Sequence, residues 1–206
     1  MLQALPIVSV QTAKGAKVRV LPQAQYDSEV TGTGGISDLS FFANPLGSGF
    51  ANAASTKKTL ADTNVRQNGQ LGSPLEFDLV GFNIKVNNAA ANTSITPVDL
   101  AEMINNSYFE FAFNNRPFLQ VPTNMIPHGV GPEGFNGTET GAAINQMPIN
   151  GIGHRSNLFK FLVGKYRVRI RSTENFSAKI SWPISTAPVV SVKFTVILQG
   201  YLYNAI

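Results

Sequence analysis

Two runs in the last quarter of the chain alternate strictly between apolar and polar residues. In Lys165–Arg171, Tyr166, Val168 and Ile170 share one face, and Lys165, Arg167, Arg169 and Arg171 share the other. In Phe176–Trp182, Phe176, Ala178, Ile180 and Trp182 lie opposite Ser177, Lys179 and Ser181. Side chains alternate along a strand, so period 2 in both runs predicts two half-buried β-strands. The polar break Ser172–Asn175 between them predicts an antiparallel hairpin. One wall of that hairpin is core; the other carries a row of four cations.

Weaker versions of the pattern recur along the chain. Leu5–Val10 and Ala16–Pro22 predict a first hairpin about Lys14-Gly15, and residues 27–37 read as a polar, glycine-bearing loop. Leu39–Ala43 reads as a strand with Phe41 and Phe42 on opposite faces. Residues 44–56 are small and irregular, with Phe50 alone among them as either a plug for its own core or an anchor for a neighbour. Thr59–Val65 is a weak strand before the Asn68-Gly69 turn signal. Leu75, Phe77 and Leu79 form one apolar set and Phe82, Ile84 and Val86 the next, out of phase by one. That slip predicts a β-bulge within a residue or two of Gly81.

Thr96-Pro97-Val98-Asp99 has the capping residues of a helix start. The helix runs to about Asn105, with Leu100, Met103 and Ile104 as its apolar stripe, and reads as a connection covering a sheet end. Ser107–Phe113 and Arg116–Pro122 pair across Asn114-Asn115. Residues 123–157 carry little regular signal, and loops of that length usually serve function or interaction. Leu158–Val163 is a short strand. Val189–Asn204 closes the chain with Val190, Val192, Phe194, Val196 and Leu198 on one face, and Gly200 reads as a break in that phase. The whole predicts an all-β antiparallel sandwich or barrel, one domain over residues 1–206, with residues 1–57 as N-terminal strands and an irregular arm.

Composition narrows the function classes. The chain is 43% hydrophobic but only 14% charged, with 18 Gly and 14 Phe. A surface poor in charge and rich in Asn, Ser and Thr suits packing against other protein. With no cysteine there are neither disulfides nor thiolate metal sites. No apolar run reaches the roughly 18 residues of a membrane span, and Met1–Val10 lacks the basic leader of a signal peptide. A net charge of +4 is too small to mark a nucleic-acid binder by itself.

The search for chemistry finds little. Gly129–Gly134 matches the GxGxxG spacing but neither follows a clear strand nor opens a helix, and Pro132 interrupts it. His128 and His154 lie in loops, without a carboxylate or second histidine at ligand spacing. Glu110, mid-strand among aromatics, is either buried with a raised pKa or outward-facing. No catalytic, cofactor or metal residues are assigned, and the chain reads as no enzyme. Along the cation row, same-face neighbours lie about 6.5–7 Å apart, close to the phosphate spacing of a nucleic-acid strand. The row reads either as a contact for nucleic acid, lipid headgroups or an acidic surface, or as a solvated outer face. The isolated apolar residues Phe50, Met125, Ile126, Phe135 and Met147 in the low-charge loops are the candidate subunit-interface residues.

Three stretches carry a resemblance: Asp62-Thr63-Asn64-Val65 through Gly69-Gln70-Leu71; Phe77-Asp78-Leu79-Val80-Gly81-Phe82; and Phe176, Ile180, Val192, Val196 and Leu198-Gln199-Gly200. Over residues 58–206 the chain resembles the jelly-roll capsid proteins of tailless icosahedral bacteriophages, the single-barrel relatives of the double-β-barrel, internal-membrane phage lineage. The resemblance implies a single jelly roll of about eight core strands. It implies a virion protein that self-assembles into capsomers in the host cytoplasm and meets copies of itself and other capsid proteins. The basic stripe would then contact the viral membrane or genome, and no small-molecule substrate is expected. The alternative is a lectin-like or receptor-binding β-sandwich of a spike or attachment protein.

Overall fold

The longest alternating runs become the longest strands. The structure is a computed structural model, and it describes residues 8–11, 17–89, 102–126, 132–140, 143–150, 159–160 and 168–205. Its strands are β1 (Val8–Gln11), β2 (Lys17–Pro22), β3 (Gln25–Val30), β4 (Ile36–Phe41), β5 (Gly49–Phe50), β6 (Ala53–Lys57), β7 (Glu76–Asn88) and β8 (Tyr108–Phe113). They continue with β9 (Arg116–Pro122), β10 (Pro132–Thr140), β11 (Ala143–Asn150), β12 (Phe159–Lys160), β13 (Val168–Arg171), β14 (Phe176–Thr186) and β15 (Val192–Ala205). Among the described residues, 102–105 form a helical turn and Thr123–Met125 a 3-10 turn.

β7 and β15 pair antiparallel as the centre of one sheet. β2 and β3 lie end to end along the free edge of β15, with β1 beyond β2; β12 and β13 lie end to end along β7. The second sheet has the order β4-β14-β8-β9. Every pairing is antiparallel, and the two sheets bury their inner faces against each other. Phe82 of β7 meets Phe109 and Phe111 of β8 at ring-centroid distances of 5.3 and 4.9 Å, and Trp182 of β14 meets Phe194 of β15 at 5.9 Å. The Trp182 indole N–H donates to the Met103 carbonyl oxygen at 2.8 Å, which fixes the helical turn against one end of the core.

The predicted bulge is present. β7 and β15 pair Gln199 with Gly81 and then Gly200 with Leu79, which leaves Val80 as the extra residue. The extra residue returns Phe82, Ile84 and Val86 to the inner face already held by Phe77 and Leu79. On β15, in contrast, the apolar phase runs through Gly200 to Leu202, so Gly200 is no phase break. Its role is steric: a Cβ there would collide with the Asp78 carbonyl oxygen. The first hairpin also forms, with Gln11 opposite Lys17. Asn114 and Asn115 make the β8–β9 turn with φ of +51° and +61°, the left-handed pair that two-residue hairpins require.

Other expectations need correction. The expected hairpin of 165–171 with 176–182 does not form over the described residues: β13 pairs with β7 in one sheet, and β14 with β4 and β8 in the other. Alternation says which face of a strand is buried and leaves its neighbour open. Two arms in facing sheets bury Val168, Ile170, Phe176 and Ile180 in one common core just as well. Phe41 and Phe42 do not divide between two faces. Phe42 takes a left-handed φ of +66°, which swings its ring back into the core, 5.1 Å from that of Phe176. Thr59–Val65 is not a strand but a turn, in which the Thr59 N–H and hydroxyl both donate to Asp62 Oδ2, at 2.9 and 2.8 Å. Residues 132–140 and 143–150, expected as loop, pair as the two-stranded ribbon β10–β11. Thr96, Pro97, Asp99 and Leu100 lie outside the described residues.

Candidate functional site

β3 is the strand that the sequence hid. Residues 27–37 read as a loop, yet Gln25–Val30 pairs along β15, and only Thr31–Gly35 link it to β4. Residues directly opposite in an antiparallel pair share a face. Asp27 opposes Val196 and Glu29 opposes Phe194, so both carboxylates are on the core face. An inward Asp and Glu look like loop to any hydrophobicity pattern. Their partner is Lys58, 31 and 29 residues further on, where no local spacing connects them.

The Lys58 ammonium lies 2.8 and 3.0 Å from the two Asp27 oxygens and 2.6 Å from Glu29 Oε1. All three side chains have 0% exposure. Other donors meet both carboxylates. Asp27 Oδ2 accepts the Phe42 N–H at 2.6 Å, and Glu29 accepts the Ala51 N–H at 2.9 Å and the Asn44 amide at 3.3 Å. The left-handed Phe42 thus aims its N–H at Asp27, and the β5–β6 segment wraps the cluster so that Phe50 lies beneath Lys58, 5.6 Å from ring centroid to Nζ. Burial pushes the Asp27 carboxyl up to about 6, against the opposing pull of Lys58 and of the Phe42 and Thr63 donors. Nearby, Lys193 pairs with Asp62 at 2.8 Å. There burial raises the carboxyl, but the Lys193 and Thr59 donors outweigh it and hold Asp62 below its ordinary value.

The basic row is only half on view, since Lys165 and Arg167 lie outside the described residues. Arg169 is committed within its own sheet. It grips Asp78 in a two-point contact at 2.7 and 3.0 Å, reaches Glu76 at 3.4 Å, and stacks 4.6 Å from the Tyr203 ring centroid. The Asp78 hydrogen bonds hold its proton more tightly than usual. Arg169 opposes Asp78 directly across β13 and β7, so the row is no run of four unmatched cations. Arg171 is exposed.

The candidate interface residues separate. Phe50 is 5% exposed and plugs its own chain, because the β5–β6 turn folds it over Lys58. Ile126 is fully buried: its N–H closes the 3-10 turn on Thr123 O at 3.0 Å, turning the side chain inward. Neither is available to a neighbour. Met125, one residue earlier, is 57% exposed. Phe135 and Met147 occupy β10 and β11, at register positions opposite Pro148 and Asn136. His128 and His154 lie outside the described residues, as do Gly129–Gly131, while Pro132–Gly134 begin β10. Glu110 is half-buried and takes a hydrogen bond from Gln120 across the β8–β9 pair.

An open groove borders the second sheet. It has a volume of about 610 Å³ and is lined by Asn105, Asn106, Tyr108, Gln120, Val121 and Pro183 among others. Ile184 and Tyr108 nearby are 83% and 40% exposed. No protein-family model, curated protein or solved structure matches the chain.

Proposed function

We propose that the chain is a structural virion protein, a single jelly-roll capsid subunit that assembles with copies of itself. The observation that carries the reading is the pairing order. Take β3, β4, β7, β8, β9, β13, β14 and β15 as core strands one to eight. The first then pairs with the eighth, the second with the seventh, the third with the sixth and the fourth with the fifth. Successive pairs alternate between the two sheets. This order supports reading the chain as one long ribbon folded over a barrel, the double Greek key of a jelly roll.

Assembly draws support from what is added to that barrel. β10–β11 is a ribbon between the fifth and sixth core strands, with no third strand paired to it among the described residues. Two-stranded ribbons are marginal on their own in water, so burial by a neighbouring subunit is the natural source of stability. Met125 and Ile184 supply exposed apolar surface on the body, and the low charge of the chain favours protein contacts over solvation.

One feature favours a second reading, an attachment or lectin-like domain. The groove at Tyr108 sets three side-chain amides beside an aromatic ring, chemistry that suits sugar hydroxyls and ring faces. Size-exclusion chromatography with light scattering, over a range of protein and salt concentrations, separates the two. Capsomers or larger shells support the capsid reading. A concentration-independent monomer or trimer whose melting temperature rises with glycans would overturn it in favour of the second.

A further inference from the structure

The buried cluster holds the parts of a chemical reaction. Lys58 is a primary amine with both Asp27 oxygens within 3.0 Å. Carboxylate geometry then leaves the Asp27 carboxyl carbon about 3.3 Å from Nζ at most, within the range for reacting atoms. Glu29 Oε1 touches the same nitrogen at 2.6 Å, and the Phe42 N–H points at Asp27 Oδ2. No side-chain atom of the three residues meets solvent.

We propose that Lys58 and Asp27 condense within the folded chain to an intramolecular amide, with Glu29 carrying the protons. A proton first passes from the Lys58 ammonium to the Asp27 carboxylate, which gives a neutral amine and a carboxylic acid. In a site without water the neutral pair costs less solvation than the ions. The nitrogen lone pair then forms a C–N bond at the Asp27 carboxyl carbon, and negative charge develops on Oδ2, where the Phe42 N–H meets it. Glu29 takes one proton from the nitrogen and returns it to the departing Oδ1 hydroxyl as the C–O bond breaks. The products are an amide, one water and an unchanged Glu29 carboxylate. No oxidant, metal or cofactor enters the balance.

Two features select Asp27 over Glu29 as the acylated group. Both Asp27 oxygens flank the amine, whereas Glu29 offers it one oxygen and gives the other to the Ala51 N–H. Burial also pushes the Asp27 carboxyl up to about 6, toward the protonated form that loses water. Amide formation from free acid and amine is unfavourable in water, but groups held in contact behave as if at effective concentrations of about 10⁵–10⁸ M. The product would close a covalent loop between β3 and the segment after β6, clamping residues 44–57 onto the edge of the first sheet.

The test is the intact mass of the full chain, taken on protein whose single tryptophan shows buried fluorescence. The expected result is a mass lower than that of the sequence by one water, with fragmentation placing the link between Lys58 and Asp27. E29Q, which keeps the lysine and aspartate, and K58R, which keeps the cation but not the amine, should both return to the full mass while still folding. Folded wild-type protein at its full sequence mass overturns the proposal. So does a link mapped to Glu29, or an E29Q chain that loses water as fully as the wild type.

Discussion

The two central strands of the first sheet and the edge strand β3 lie side by side and are stabilised in opposite ways. β7 and β15 present Phe77, Phe82, Ile84, Phe194 and Val196 to the core, where each side chain is fully buried against other apolar groups. β3 presents Asp27 and Glu29 to the same interior and depends on one lysine. Burial of apolar surface is non-directional and tolerant of partner, whereas a buried charge is tolerated only with a specific partner in contact. The apolar region is therefore robust and legible from local pattern. The polar region is brittle and depends on a long-range pairing.

Lys58→Met should break that contrast most sharply. Removing the cation leaves two buried carboxylates uncompensated, and losing one partner of such a pair costs about 3–5 kcal/mol. The acid response carries the diagnosis. Asp27 already sits above its ordinary 3.8, at about 6, and loses a lowering influence with Lys58. A carboxyl raised in the folded state binds its proton more tightly folded than unfolded, so stability rises as pH falls through the folded value. Denaturant titrations of the variant should show stability increasing as pH falls through the raised folded value towards 3.8. A flat profile there would mean that the cluster is wet. Trp182→Ala tests the apolar side, with an expected loss of about 3–5 kcal/mol and no matching pH window, since the lost groups are the indole packing and its bond to the Met103 carbonyl. Gly200→Ala comes next. A methyl driven into the Asp78 carbonyl forces the β7–β15 ladder apart at the bulge, at about 1–3 kcal/mol, the usual range for overpacking.

Legibility in the sequence follows the same division. The slip between Leu79 and Phe82 located the bulge to one residue, because an apolar phase records the face directly. β8, β14 and β15 were readable for the same reason, and β9 from the Asn114-Asn115 turn that precedes it. What alternation leaves open is the neighbour: Val168 and Phe176 show which way their strands face, yet they belong to different sheets. The carboxylates of Tyr26-Asp27-Ser28-Glu29-Val30 did carry a period-2 signal, but a polar one, and polarity on alternate positions ordinarily marks the outer face. Only the lysine far along the chain reverses that reading. Phe50 and Ile126 illustrate the converse error. They stand isolated among polar residues, yet a turn of the chain carries each into the core it was expected to leave for a neighbour.

The smallest expected effect sharpens the comparison because it concerns the same chemistry in a wetter place. Lys193 and Asp62 pair at 2.8 Å with side chains 22% and 11% exposed, against 0% in the cluster. Solvent screens such a pair, so Lys193→Met should cost about 1 kcal/mol, near the top of the range for surface pairs. The sign of its pH dependence is the informative part. Asp62 is held below 3.8 in the folded state, so the folded state binds the proton less tightly than the unfolded one. The stability it contributes is complete above 3.8 and disappears as pH falls through the depressed value. The gap between wild type and Lys193→Met should accordingly persist at neutral pH and close only in strong acid. The response of Lys58→Met, in contrast, runs from the raised folded value down to the unfolded 3.8, above the range in which Lys193→Met responds. If the two variants responded in the same pH range, burial would not be what distinguishes the two carboxylates, and the cluster around Lys58 would be no more than another surface pair.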